Sequence, residues 1–319
     1  MTSVFVGIDI AKASFVAALE DGPGESFSND PEQFESLREW FEAQDLKLDQ
    51  LHVCLETTGT YSLPLAAWLV EQGIQVSVVN PARVQGFAES ELQRNKTDRS
   101  DARLIARFAA AHEPDEWTPE DEEWQKLKEL TRRIVQLRQT RTQEQNRRQT
   151  PARSEACEAS QEAHIEWLNE AIESCWEKIE SLIADHETLQ RPLEWVSSIP
   201  GLGRKASIFL IAEIRDIERF ESAKKLAAYA GVTPERRESG QQQAPSSMSK
   251  RGSARMRHVL YMPALTAKCH NPIISEFCER LEQRGKDSMT VVGAAMHKLI
   301  RLVYGVWSNQ TTFDPEYAA

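Results

Sequence analysis

Two aspartates three residues apart, Asp98 and Asp101, stand in the stretch RNKTDRSDARLIARFAAAH (residues 94–112) among Arg94, Lys96, Arg99, Arg103 and Arg107. On a helix, positions i and i+3 share a face, so both carboxylates project to one side. Charge of alternating sign is also what a solvated helix face carries. What separates the two readings is whatever else the chain brings to that face. Asp9 closes the apolar run VFVGIDI, and Glu56 closes LHVCLE. If both runs are strands of one sheet, their C-terminal ends meet at the edge where open α/β sheets place their sites. Four carboxylates gathered there repel one another and call for cations. Hard oxygen donors favour Mg²⁺ or Mn²⁺, and two such ions roughly 4 Å apart clamp the attacking and leaving oxygens of a phosphodiester displacement. In that setting Arg94, Lys96, Arg99 and Arg103 attract a phosphate backbone.

The elements that must hold these residues read as follows. Over the first ~110 residues, apolar strands alternate with amphipathic helices: VFVGIDI, SFVAALED, a helical PEQFESLREWFEAQ, LHVCLE, the helix YSLPLAAWLVEQG and QVSVV, an α/β pattern. The acidic, proline-containing segment 113–121 reads as a linker. Beyond it, Leu127, Leu130, Ile134 and Leu137, then Ile165, Leu168, Ile172, Cys175, Ile179 and Leu182, follow heptad spacing around a break at Pro151. They describe a helical hairpin arm, a dimerising coiled coil, or helices packed on their own domain. The Ser/Ala/Glu-rich run 150–163 does not continue the basic heptad pattern. From Leu193 to about Trp307 the chain reads as mainly helical. The expected division is 1–112, 113–190 and 191–319.

Composition narrows the function classes. With 319 residues and 40% hydrophobic content, the chain can bury a substantial core. Its longest apolar runs are far below the ~20 residues of a membrane span, which predicts no membrane partner. Five cysteines, odd in number and without a Cys-x-x-Cys pair, fit a reduced, cytoplasmic protein. The net charge of −11 is unevenly spread: residues 126–153 hold nine Lys or Arg against two Glu, and residues 204–257 hold twelve against six acids. Local basic fields of this kind are compatible with nucleic-acid binding.

Two C-terminal stretches add to this. IPGLG, with Gly201 and Gly203 before Arg204 and Lys205, reads either as the hairpin of a helix-hairpin-helix element, whose backbone N–H groups bind phosphate, or as a plain helix–helix turn. MSKRGSARMR brings Lys250, Arg251, Arg255 and Arg257 close together, suited to phosphate contacts or to a solvated basic loop.

The ordered series GIDIAK with Asp9, LETTGTYS with Glu56, NKTDRSDARLIA with Asp98 and Asp101, IPGLG, LAAYAGVTPERRESG and SKRGSARMRHVL resembles the IS-one-ten family of insertion-sequence transposases over nearly the whole chain. The resemblance implies an α/β RNase H-like (RuvC-like) N-terminal domain carrying an Asp-Glu-Asp-Asp metal site, a helical or coiled-coil middle, and a mainly α C-terminal domain supplying a serine nucleophile in a Ser-Gly context. That context occurs at Ser239-Gly240. It further implies DNA as substrate and a bridge RNA as guide; the heptad arm itself points to a homo-oligomer, dimer or tetramer.

The chemistry of the residues leaves Ser239 open, since Ser246, Ser247, Ser249 and Ser253 lie nearby and no sequence pattern names a base. Metal, a neighbouring Arg or Lys, or His258 would have to activate it. Three functions follow as expectations: a recombinase using carboxylates and a serine, a RuvC-like junction-resolving nuclease using water, and a non-catalytic nucleic-acid scaffold.

Overall fold

The computed structural model describes residues 4–57, 61–91, 97–119, 121–149, 154–233 and 252–316, with the backbone of the short strand segments 234–235, 238–239, 242–243 and 247–248. Arg94, Lys96, Gly240, Lys250 and Arg251 lie outside the described residues. The chain divides into two compact units, Met1–Glu120 and Asp121–Ala319.

In the first unit, β1 (Val4–Ile10), β2 (Ser14–Leu19) and β3 (Gly24–Ser28) form an antiparallel meander. On the other side of β1, β4 (Leu51–Glu56) runs parallel to it and β5 (Gln75–Val79) runs parallel to β4, giving the order β3-β2-β1-β4-β5. The helices of this unit are α1 (Glu35–Ala43), α2 (Leu63–Glu71), α3 (Pro81–Ser90) and α4 (Asp98–His112). Strand side chains alternate in direction, and both faces of β1 and β4 are covered, which is why these strands read as nearly unbroken apolar runs. Val6, Ile8, Ile10, Val53 and Leu55 share a core with Leu37 and Phe41 of α1 and Leu65 and Leu69 of α2. On the opposite face, Cys54 and Val79 pack with Val84 of α3 and Leu104, Ile105, Phe108 and Ala109 of α4.

Part of the acidic segment expected to be a linker is laid along the sheet instead. Trp117 N donates to Val76 O at 2.7 Å, and Ser77 Oγ lies 2.8 Å and 2.9 Å from the carbonyl oxygens of Pro114 and Asp115. Residues 114–117 thus cover the outer side of β5, an edge strand with backbone groups to satisfy.

The second unit holds α5 (Glu122–Arg148), α6 (Glu155–Asp185), α7 (Glu187–Ser197), α8 (Arg204–Ile214) and α9 (Ala223–Tyr229). Then come short strands β6 (Pro234–Glu235), β7 (Glu238–Ser239), β8 (Gln242–Gln243) and β9 (Ser247–Met248), followed by α10 (Ala254–His270), α11 (Pro272–Gln283) and α12 (Ser288–Ser308). The heptad positions Leu127, Ile134, Leu137, Leu168, Ile172 and Ile179 are buried. They close on each other within the chain, α5 against α6, and the same core continues through α7 to α12. From Glu155 on, the Ser/Ala/Glu-rich run forms the start of α6: Ser154 accepts from Cys157 N at 3.4 Å, and Glu155 and Glu158 sit in the first turn, where the helix dipole favours acids.

By length and composition α12 is apolar enough to cross a membrane. Its residues Val291, Ala295, Leu299, Ile300 and Val303 are instead buried in the helical core of the second unit.

Candidate functional site

The geometry of the first unit follows from one glycine. A Cβ built on Gly7 would stand 2.0 Å from Ala102 O and 2.3 Å from Ala106 N, so α4 lies against β1 at that point with no room for a side chain. Toward the start of β1, Phe5 packs on the cluster holding Leu104, Ile105, Phe108 and Ala109. Toward its end, Val16, which sits opposite Asp9 in β2, packs on Ala102. Helix α4 therefore runs antiparallel to β1. From Ala102 back to Asp98 is ~6 Å along a helix axis at ~1.5 Å per residue, and from Gly7 on to Asp9 is ~6.6 Å at ~3.3 Å per strand residue. The first turn of α4 is thus level with Asp9. Asp98 and Asp101 extend the Ala102–Ile105 stripe that faces the sheet; Asp98 is exposed and Asp101 half-buried.

Glu56 reaches the same level. Ile8 pairs with Leu55 in the parallel register of β1 and β4, so Asp9 and Glu56 follow as neighbours on the face that carries Gly7 and Cys54, and both are half-buried. Beyond Glu56 the register is held by Thr57, whose N donates to Val79 O at 2.9 Å. Asn29, which the sequence did not single out, donates through Nδ2 to Ala11 O at 3.0 Å and to Tyr61 O at 3.2 Å. One amide thereby ties the loop after Asp9 to the loop after Glu56.

The backbone brings the four carboxylate-bearing positions toward one edge. Among the described residues, no group of three or more His, Cys, Asp or Glu is placed to hold a metal ion. The two α4 aspartates also have a local reason to be where they are. Thr97 and Ser100 form a reciprocal capping box, Ser100 N to Thr97 Oγ1 at 3.2 Å and Thr97 N to Ser100 Oγ at 2.8 Å, and acids in the first turn oppose the helix dipole favourably. Burial, opposed by the Arg83 charge and aided by Glu56, pushes the Cys54 thiol up to about 12, so this sulfur is an inert packing group. Of the cations, Arg99 is exposed, Arg103 Nη2 donates to Gly22 O at 3.0 Å, and Arg107 lies 3.6 Å from Glu91.

In the second unit, Ser239 lies in β7 with its backbone opposite Gln242 of β8. The IPGLG turn joins α7 to α8. Gly201 has φ +101°, and a Cβ on it would lie 2.5 Å from Ala267 Cα, so packing on α10 alone accounts for this glycine. Gly203 caps α8 with no side chain, and Arg204 is drawn into a pair with Glu180, its Nη2 at 2.6 Å from Oε2. Lys205 Nζ stands 4.8 Å from the centre of the Trp176 ring. Arg255 Nε and Arg132 Nε donate at 2.9 Å and 3.3 Å to Oε1 of Glu213, a residue only 8% exposed, and Arg257 Nη1 donates to Gly252 O at 3.3 Å. Arg204 and Arg255, which the sequence offers for phosphate, both have carboxylate partners within the chain.

Residues 6–150 match a transposase family of the Asp-Glu-Asp-Asp type named for IS110, and residues 193–279 match the transposase IS116/IS110/IS902 family. The chain is 32% identical to the pilin gene-inverting protein of Moraxella bovis and 31% identical to that of Moraxella lacunata, with 98% of each chain covered. The chain belongs to the IS110 family of transposases. A transposase for insertion sequence element IS1111A from Coxiella burnetii is 28% identical over 59% of this chain and 58% of its own. Membership makes this chain a DNA transposase or recombinase by family, and it accounts for the ordered motifs from Asp9 to the SKRGSARMR segment.

Proposed function

We propose that this protein cuts and rejoins DNA strands of a mobile element, using Asp9, Glu56, Asp98 and Asp101 as ligands of divalent ions and Ser239 as the nucleophile. The observation that carries the carboxylate half is the register of Asp9 with Glu56 beneath the first turn of α4. The strand order β3-β2-β1-β4-β5, a meander continued by parallel strands, supports an RNase H-like reading of the first unit. The donor set is all oxygen, which fits Mg²⁺ or Mn²⁺. Bound there, such ions supply positive charge to a phosphodiester's non-bridging oxygens.

The chain's own groups do the rest. Ser239 Oγ attacks phosphorus, the Oγ–P bond forms as the bond to the departing strand's sugar oxygen breaks, and the proton given up by the serine is balanced by the one the departing hydroxyl gains. A new strand's hydroxyl reverses this step, releasing the serine. The ester conserves the phosphodiester bond between cutting and joining. Functionally, 1–112 supplies carboxylates, 113–190 the arm, and 191–319 the serine. A bridge RNA as guide and a homo-oligomer formed by way of the arm complete the proposal. Trp167 is 53% exposed on α6 and offers that arm an outer contact.

The test is strand cleavage of an element-end DNA with Mg²⁺ and the element's RNA. Asp9→Asn, Glu56→Gln, Asp98→Asn and Asp101→Asn should each abolish cleavage while leaving DNA binding within about twofold, since phosphate affinity comes from Lys and Arg. Cleavage by all four at the native rate would end the carboxylate assignment.

A further inference from the structure

Between α5, α8 and α10 of the second unit runs a groove of about 780 Å³. Its floor is apolar, with Phe209 and the unusually exposed Met262, 63% accessible, and its rim carries Arg138, Lys205, Arg255 and His258. Among the described residues no Asp or Glu lines it, in a chain whose net charge is −11. The rim cations are held in place by aromatic rings: Arg138 lies 5.9 Å from the centres of both Trp176 and Phe209, and Lys205 Nζ lies 4.8 Å from that of Trp176. Arg255 is fixed by Glu213, which Arg132 also engages, so that acid is shared between two cations. Burial first, and then the Arg141 charge, lower the Arg138 pKa, with Glu173 acting against them; its charge is under-compensated and would gain from an anion.

A cationic rim over an apolar and aromatic floor is the combination that takes unpaired nucleotides, phosphates on the rim and base faces on the floor. The volume falls in the range of small-molecule sites, roughly 300–1,000 Å³. It has room for one or two extruded nucleotides and not for a duplex. We infer that this groove binds unpaired DNA nucleotides, the strand opened beside the cleavage point. The choice of DNA rests on the recombinase reading.

The test uses the full-length protein with a fluorescent single-stranded oligodeoxynucleotide, the corresponding duplex, and RNA of the same sequence, read by anisotropy. Phe209→Leu keeps apolar volume and removes the ring face. Lys205→Gln changes an exposed position and keeps the test decisive if the first variant does not fold. Each should weaken single-strand binding at least about fivefold, Phe209→Leu through a lost stacking face and Lys205→Gln through a lost phosphate contact, and duplex binding less than about twofold. A 5-iododeoxyuridine in the strand should crosslink to residues 205–209 or 258–263. Unchanged single-strand affinity in Lys205→Gln, equal losses for duplex and single strand, or a groove preference for the RNA would each overturn the inference. The recombinase reading is scored separately: a Lys205→Gln protein with unaltered affinity that still forms a Ser239–DNA adduct discards the groove alone. Wild-type protein that crosslinks in the groove yet forms no adduct discards the serine chemistry alone.

Discussion

Gly7 lies directly beneath Ala102, so closely that a methyl group on the glycine would meet the helix backbone at 2.0 Å. Because the obstacles are Ala102 O and Ala106 N rather than a flexible side chain, neither side can give way locally. This contact sets the level of the α4 first turn, and so of Asp98 and Asp101, against Asp9.

Gly7→Ala should therefore destabilise the first unit by about 1–3 kcal/mol or more, the range for overpacking a rigid core. Urea unfolding followed by circular dichroism measures it. A wild-type midpoint in the alanine variant would mean that α4 is not fixed by this approach.

If the four acids share divalent ions, Mg²⁺ stabilises the wild-type protein by binding the folded state, about 1.4 kcal/mol at ten times its dissociation constant. A thermal shift on adding Mg²⁺ should shrink in Asp9→Asn and Glu56→Gln. An equal Mg²⁺ shift in all proteins would place the ion elsewhere.

Glu213, at 8% exposure, joins α5 and the first turn of α10 through Arg132 and Arg255. Glu213→Ala removes both bonds, and because the arginines keep access to water the cost should stay near 1–2 kcal/mol. Glu213→Gln, which can still accept, should lose less. Equal losses in the two variants, by denaturant titration, would mean packing and not pairing is what the residue supplies.

Two histidines predict the direction of the pH dependence. Burial lowers the pKa of His52 against the opposing pull of Glu116 and Glu113, and burial lowers that of His297 together with Arg301 and Lys298. Each folded value lies below the unfolded value of about 6.5, so the unfolded chain binds more protons in between. Stability from these groups is complete above pH ~6.5 and is lost as the pH falls toward the folded values. The urea midpoint should drop between pH 7.5 and 5.5, and drop less in His52→Gln with His297→Gln. A midpoint that rises on acidification contradicts this.

Pattern made the architecture legible: β1 and β4 are nearly unbroken apolar runs, as strands covered on both faces are, and Leu127, Ile134, Leu168 and Ile172 keep their helical seam. What sequence could not show depends on pairings across long separations. Asn29 reads as a turn residue, and only the folded loops reveal its two carbonyl partners. Segment 113–121 reads as linker because its hydrogen bonds go to Ser77 and Val76, invisible to local pattern. Arg204 reads as a phosphate contact until Glu180, 24 residues earlier, is found beside it. The groove joins Arg138 to Lys205, which no spacing links. Of the proposed site, the positions of Asp9 and Glu56 at strand ends and of Asp98 and Asp101 as an i,i+3 pair were readable, while Ser239 rests on its Ser-Gly context alone.

The most direct test is whether Ser239 becomes joined to DNA. Asp101 and Ser239 are 138 residues apart and lie in different units, so the proposed chemistry is the part of the account that needs both halves. The protein is incubated with its element DNA, the proposed guide RNA and Mg²⁺, then denatured, and any protein–DNA adduct is digested and mapped by mass spectrometry. The expected result is a phosphodiester on the peptide containing Ser239, absent from Ser239→Ala, which still binds DNA. Cleavage by Ser239→Ala at the native rate with no adduct in either protein would make water the nucleophile and overturn the serine assignment.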